Sequence, residues 1–275
     1  MKKIEIKEFG GPEVLEIKNV DIGTPGQNEV LVKNLSIGIN YIDTYHRSGL
    51  YPIPLPSGIG LEACSIIEEV GSEVKLFKVG DRVTRASMPI GTYSEKQIIP
   101  EDKLVKVPDN ISDEVASCIT LKGITAEYLL HRTYQVKKGD KILYHAAAGA
   151  LGQIFCPWAN ALGAEIIGTV GSDEKIEIAK KNGCHHVINY NEKNFVEEVE
   201  KIVGKNGLDV VYDGVGAKTF EGSIEVLKVR GMMVAFGNAS GYVHTLDIKK
   251  HINEKGLFFT RPSIAHYTII RKELE

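Results

Sequence analysis

Lys141-Ile-Leu-Tyr-His-Ala-Ala-Ala-Gly149-Ala-Leu-Gly152-Gln-Ile-Phe-Cys-Pro-Trp-Ala-Asn-Ala-Leu-Gly163 decides the fold. A short apolar run ends in a small-residue turn, and the turn opens a helical stretch. Ala147, Gly149 and Gly152 occupy the three positions of a dinucleotide fingerprint, with alanine in the first slot and Ala150 and Leu151 between the glycines. Gly149 lets the backbone approach a pyrophosphate, Gly152 lets the helix sit close to the strand, and the free amides at the helix start face the anion. Spacing alone is weak evidence; a strand before it, a helix after it and a second strand beyond are the context that gives it meaning.

That context is present downstream. Apolar runs at 141–145, 166–170, 186–189, 208–212 and 232–236 alternate with helical stretches at 150–162, 173–182, 194–203 and 217–228. Strand, helix, strand at this spacing predicts a doubly wound parallel sheet. About 20 residues past the fingerprint an NAD site calls for an acidic residue on the ribose. The chain instead reads Gly171-Ser172-Asp173-Glu174-Lys175. Gly171 leaves room, Ser172 can donate to a phosphate oxygen and Lys175 brings positive charge one turn into a helix, so NADPH is favoured over NADH. Asp173 opposes this if its charge points inward, and Ser172 also reads as a simple N-cap.

Upstream, to about Pro108, short strands such as Glu29–Lys33, Ser65–Val70 and Arg82–Thr84 alternate with Gly and Pro turns, predicting a small barrel-like β domain. Pro52, Pro54 and Pro56 make 50–60 an ordered loop. Ser112 is placed to cap a helix with Asp113 and Glu114 in its first turn, and a second helical stretch is expected from Thr125 to Tyr134. With 275 residues, two domains are the prior. The net charge of −3 offers no footprint for nucleic acid or an anionic membrane. The four cysteines form no Cys-x-x-Cys pair and read as reduced core thiols. The Met1–Lys7 start lacks the apolar stretch of a signal peptide, so a cytoplasmic protein is expected.

Gly11-Pro-Glu-Val-Leu15, Gly38-Ile-Asn-Tyr-Ile-Asp43, Arg47-Ser-Gly-Leu-Tyr51, Leu121-Lys-Gly-Ile-Thr125, His145-Ala-Ala-Ala-Gly149, Val187-Ile-Asn-Tyr190 and Val211-Tyr-Asp-Gly-Val-Gly216 span nearly the whole chain. Together they resemble the NADPH:quinone oxidoreductases, the zinc-free, ζ-crystallin-like branch of the medium-chain dehydrogenase/reductase superfamily. The resemblance implies a GroES-like β-barrel catalytic domain (1–122), a Rossmann NADPH-binding domain (123–260) and, at 261–275, the start of a return to the catalytic domain. It implies the nicotinamide in the cleft between them. Asn40, Tyr45, Arg47, Tyr51 and Arg261 would line the quinone and nicotinamide site, and Thr125 would hold the carboxamide. Phe236, Gly237 and Asn238 would border the ring, and Lys175 and Tyr190 the adenosine phosphate. Tyr45 and Tyr51 also read as loop packing, and Arg47 as a surface ion pair. A homodimer extending the Rossmann sheet is implied, with 232–236 and 239–244 at its edge.

Zinc-dependent relatives carry cysteine where this chain has Asn40 and histidine where it has Leu61, so no metal is expected. Two departures stand out. Pro157 falls inside the nucleotide-binding helix, where proline removes a backbone bond and can kink the helix. Family members also continue beyond Glu275, so the C-terminal end reads as truncated, with exposed apolar surface expected on the first domain. The function expected is zinc-independent, NADPH-dependent reduction of quinones, by single electrons or by hydride. The alternatives are reduction of an enone or enoyl thioester by the same superfamily, or a truncated, non-catalytic nucleotide-binding protein.

Overall fold

The computed structural model describes residues 1–275 and divides into two compact units, Met1–Leu121 with Tyr267–Glu275, and Lys122–His266. The first unit is β-rich. Its strands are β1 (Lys2–Ile6), β2 (Glu16–Asn19), β3 (Glu29–Gly38), then, after helix α1 (Tyr41–Ser48), β4 (Ser57–Gly58), β5 (Glu62–Val70), β6 (Arg82–Ala86), β7 (Lys96–Pro100) and β8 (Val105–Lys106). They form a five-stranded antiparallel sheet ordered β7-β3-β5-β6-β8 and a small β2-β1-β4 sheet. Side chains alternate across a strand, so Val30 and Val32 of β3 meet Ile67, Val83, Ile99 and Leu104 in one core. Further along β3 the pattern loses its cover: Leu35 and Ile37 stand exposed, and Ile39 beyond the strand is 79% exposed.

The boundary between the units falls within α2 (Asp113–Tyr128). Ser112 caps this helix, its Oγ accepting from the Val115 amide at 3.3 Å. The separate helical stretch expected to begin at Thr125 does not exist. α2 runs through that position and widens into a π-helical turn over Leu129–Thr133, with Leu129 and Leu130 fully buried.

The second unit is built on β9 (Lys141–Tyr144), α3 (Gly152–Ala161), β10 (Glu165–Val170), α4 (Glu174–Lys181), β11 (His186–Asn189), α5 (Phe195–Val203), β12 (Leu208–Asp213), α6 (Phe220–Glu225), β13 (Leu227–Ala235), β14 (Phe258–Thr260) and α7 (Ile264–Tyr267). The sheet is wholly parallel, ordered β11-β10-β9-β12-β13-β14. Counted from β9 this is 3-2-1-4-5-6, the doubly wound order, and its switch point lies between β9 and β12. Both faces are covered, which is why the strands read as continuous apolar runs. Leu143, Ile167, Val211 and Met233 pack one face with Phe220 and Val199. On the other, the Tyr144 ring stacks on Phe155 at 4.4 Å, and Phe155 meets Tyr212 edge-on at 4.6 Å.

Three expectations change here. The helix expected over 217–228 is confined to Phe220–Glu225, because the residues before it are drawn into a turn around Asp213 and Leu227 already belongs to β13. The strand expected at 232–236 is interior to the sheet, since β14 pairs with Met232–Val234, and 239–244 form no strand. α3 also continues through Pro157, whose exposed ring lies away from the buried Phe155, Cys156 and Ala159. The chain ends in α8 (Arg271–Leu274), where Arg271 donates to the Leu104 carbonyl of the first unit.

Candidate functional site

In the second unit the dinucleotide turn leaves the C-terminal end of β9 at the switch point, where ligands of open α/β sheets bind. Ala146 takes a left-handed φ of 58°, and the Ala147 amide donates to the Thr169 carbonyl at 2.9 Å, fixing the turn against β10. A side chain at Gly152 would place Cβ 2.3 Å from the Ala147 carbonyl oxygen. The helix start is therefore pressed onto the strand end, as a pyrophosphate cradle requires. At the end of β10, a Cβ on Gly171 would lie 2.8 Å from the Tyr190 hydroxyl. Ser172 and Lys175 follow at the start of α4, so Gly171, Ser172, Lys175 and Tyr190 share one corner. Asp173 is engaged at the same corner: its Oδ1 accepts from Asn189 Nδ2 at 2.8 Å, at the end of β11. The hydroxyls of Ser172 and Tyr190 and the ammonium of Lys175 are the donors that a phosphorylated dinucleotide needs at this corner.

Phe236, Gly237 and Asn238 follow β13. The Phe236 amide donates to the Asp213 carbonyl at 2.8 Å, and a Cβ on Gly237 would sit 2.4 Å from the Gly214 carbonyl oxygen. Asn238 and Thr125 are buried. Arg261 is exposed beyond β14, its Nη1 donating to the Pro262 carbonyl at 3.1 Å.

In the first unit Asn40 precedes α1, and Tyr45, Arg47 and Tyr51 follow on or after it. The Tyr45 and Tyr51 rings pack 4.9 Å apart, and the Tyr51 amide donates to the Tyr45 carbonyl at 3.0 Å. Arg47 Nε donates to the Gly10 carbonyl at 3.2 Å, and the Gly10 amide donates back to the Arg47 carbonyl at 3.0 Å. Arg47 is thus tied to the N-terminal loop through the backbone.

Sequence reasoning missed the acids that organise this corner. Glu62 is fully buried; its Oε2 accepts from Asn40 Nδ2 at 2.8 Å and its Oε1 from the Leu121 amide at 2.7 Å. Asp43 Oδ2 accepts from the Asn40 amide and from the Tyr93 hydroxyl, each at 2.9 Å. Burial, reinforced by the Asp43 carboxylate, raises the Tyr93 phenol well above its usual range, so it remains a proton donor. Leu61, beside Glu62, lies in the apolar interior. No group of three His, Cys, Asp or Glu side chains is assembled that could hold a metal ion.

An alcohol dehydrogenase GroES-like domain matches residues 26–109, and a zinc-binding dehydrogenase domain matches 150–274. This pairing on a doubly wound sheet defines the medium-chain dehydrogenase/reductase class. Within it, the quinone oxidoreductase of Pseudomonas aeruginosa is 46% identical over 275 residues, all of this chain and 85% of that protein. A 2-haloacrylate reductase from a Burkholderia species is 45% identical over 98% of this chain and 83% of its own length. The crystal structure of Escherichia coli quinone oxidoreductase complexed with NADPH superposes with a TM-score of 0.96 at 48% identity, over 100% of this chain and 84% of that one. The chain belongs to the quinone oxidoreductase family, and it is an oxidoreductase.

Proposed function

We propose that the protein catalyses zinc-independent reduction of quinones by NADPH. The observation that carries this reading is near-full-length identity to quinone oxidoreductases together with a dinucleotide turn whose clearances suit a pyrophosphate. Bound NADPH supplies the reducing electrons, and the net reaction consumes NADPH, a proton and the quinone to give NADP⁺ and hydroquinone. The protein binds, orients and polarises.

Ala150, Leu151 and Gly152 present amides to the pyrophosphate, and Ala147 and Gly149, whose own amides donate to Thr169 and Ala146, shape the turn that holds them. Ser172, Lys175 and Tyr190 take the adenosine 2′-phosphate. Thr125, Phe236, Gly237 and Asn238 hold the nicotinamide end. Asn40, Tyr45, Arg47 and Tyr51 of the first unit handle the quinone. Negative charge grows on the quinone oxygen as it is reduced, and phenol or guanidinium donors stabilise that charge. Glu62 and Asp43 fix Asn40 from two sides, so its amide is positioned before substrate arrives. Zinc independence is supported by Asn40 and Leu61, neither of which offers a thiolate or imidazole.

Reduction of an activated carbon-carbon double bond is the second reading, favoured by the 2-haloacrylate reductase relative. NADPH oxidation with 1,4-benzoquinone beside 2-chloroacrylate separates them. A higher kcat/KM with the quinone is expected; the reverse order overturns the quinone reading. No helix is long and apolar enough to cross a membrane. We further propose a homodimer through the sheet edge at β14, where Phe258 is 57% exposed. Sedimentation giving a monomer at micromolar concentration overturns that.

A further inference from the structure

A buried polar chain crosses beneath the cofactor bed of the second unit, and none of its members is among the residues assigned to binding. His145, at the end of β9, is 1% exposed, and Thr169 of β10, Ser223 of α6 and Asp213 of β12 are fully buried. His145 Nδ1 lies 2.9 Å from Thr169 Oγ1, and Nε2 lies 3.0 Å from Ser223 Oγ. Ser223 in turn reaches Asp213 Oδ2 at 3.2 Å and the Thr219 carbonyl at 2.8 Å.

The direction of the chain follows from the hydrogens available. Both other partners of Ser223 are acceptors, so its single proton goes to one of them and its oxygen accepts from His145 Nε2–H. Nδ1 is then the lone pair, and the Thr169 hydroxyl donates to it. Burial lowers the His145 pKa, against a smaller opposing effect of Asp213, which agrees with a neutral ring of that tautomer. The Phe195 ring closes the site edge-on at 5.1 Å.

Each end of the chain sits on a residue whose main chain or carboxylate holds backbone that the cofactor would touch. Thr169 accepts the Ala147 amide of the dinucleotide turn through its carbonyl. Asp213 Oδ1 accepts the Val215 and Gly216 amides at 2.8 and 2.9 Å, Oδ2 accepts the Thr219 hydroxyl at 2.8 Å, and the Asp213 carbonyl accepts the amides of Phe236 and Gly237. A polar side chain needing partners at both ends is costly to bury; hydrophobic residues would fill this space without satisfying any bond.

We propose that His145, bridging Thr169 to Ser223 and Asp213, is a positioning residue that sets the separation between the dinucleotide turn and the Phe236–Asn238 segment. It thereby governs affinity for an intact dinucleotide rather than for either half. This rests on the NADPH reading above. A ligand that spans both ends feels their separation, whereas a ligand that occupies one end does not.

The test compares two probes, NADPH and adenosine 2′,5′-bisphosphate, by direct Kd measurement on His145→Phe, Thr169→Val, Ser223→Ala and Thr169→Ser, with thermal melting alongside. For the first three, NADPH binding should weaken about tenfold while the bisphosphate Kd stays within about twofold. Thr169→Ser keeps the hydroxyl and should keep the wild-type Kd for both. Equal weakening of both probes, or a fall in melting temperature with neither Kd changed, overturns the proposal. Thr169→Val is near-isosteric, so it carries the test if His145→Phe does not fold. Wild-type protein that fails to bind NADPH overturns the function reading itself, and is distinguished from a failure of this inference by the wild-type titration alone.

Discussion

In the first unit the buried acids reach far along the chain. Glu62 and Asp43 hold the Asn40 amide and the Tyr93 phenol, across sequence separations of 22 and 50 residues. In the second unit the buried acid works locally: Asp213 gathers the Val215 and Gly216 amides two and three residues away and the Thr219 and Ser223 hydroxyls six and ten residues away. One unit builds its corner from long-range side-chain contacts, and the other from local turns and glycine clearances. Function should therefore fail differently in the two, through lost positioning in the first and lost room in the second.

The largest effect is expected at Glu62. Glu62→Ala removes the acceptor for both Asn40 Nδ2 and the Leu121 amide inside the protein, which should cost about 3 kcal/mol of stability. Glu62→Gln keeps one acceptor but turns an NH₂ toward the other donor, so a smaller loss follows. Denaturant titration checks the order Ala below Gln below wild type. A Glu62→Ala protein as stable as wild type would mean that the contrast between the units is not energetic.

At Gly152 the loss is of room. Gly152→Val must push Cβ away from an oxygen 2.3 Å distant, moving either the helix start or the turn. Overpacking of this kind costs about 2 kcal/mol, and NADPH should bind at least about tenfold more weakly. Fluorescence titration measures it, and unchanged affinity would show that NADPH binding does not need the close approach at Gly152. Tyr93→Phe comes next: it deletes one hydrogen bond to Asp43, worth about 1 kcal/mol, and should lower kcat with a quinone more than it raises the KM for NADPH.

The same contrast explains what was legible. The alternation of strand and helix and the small-residue turn at 146–152 could be read because each depends on residues within a few positions of one another. The partner of Asp173 was not legible, since the Asn189 amide that donates to its carboxylate meets it only in three dimensions. Helix and edge assignments failed where tertiary contacts decided them: Asp213 pulled 213–219 out of a helix, and β14 arrived from more than twenty residues beyond β13 to cover what read as an edge. Glu62 could not be found because nothing near it in sequence marks its partners. A lone acid in an otherwise apolar strand was the available signal, and it points to burial with a partner rather than to any particular one.

The smallest effect distinguishes the units by pH. Burial lowers the pKa of His46 in the first unit and of His145 in the second, in the latter against the opposing pull of Asp213. In the unfolded chain both titrate near about 6.5. Below that pH the unfolded state binds more protons, so stability falls as pH drops through about 6.5, and it is flat above. Melting temperature should decline between about pH 7 and pH 5.5. His145→Phe should flatten part of that decline and His46→Phe the remainder. The two should add, because the histidines sit in separate units with no shared partner. A decline unchanged in both variants would assign the acid sensitivity to the carboxylates instead, and the buried histidines would then have no measurable linkage to folding.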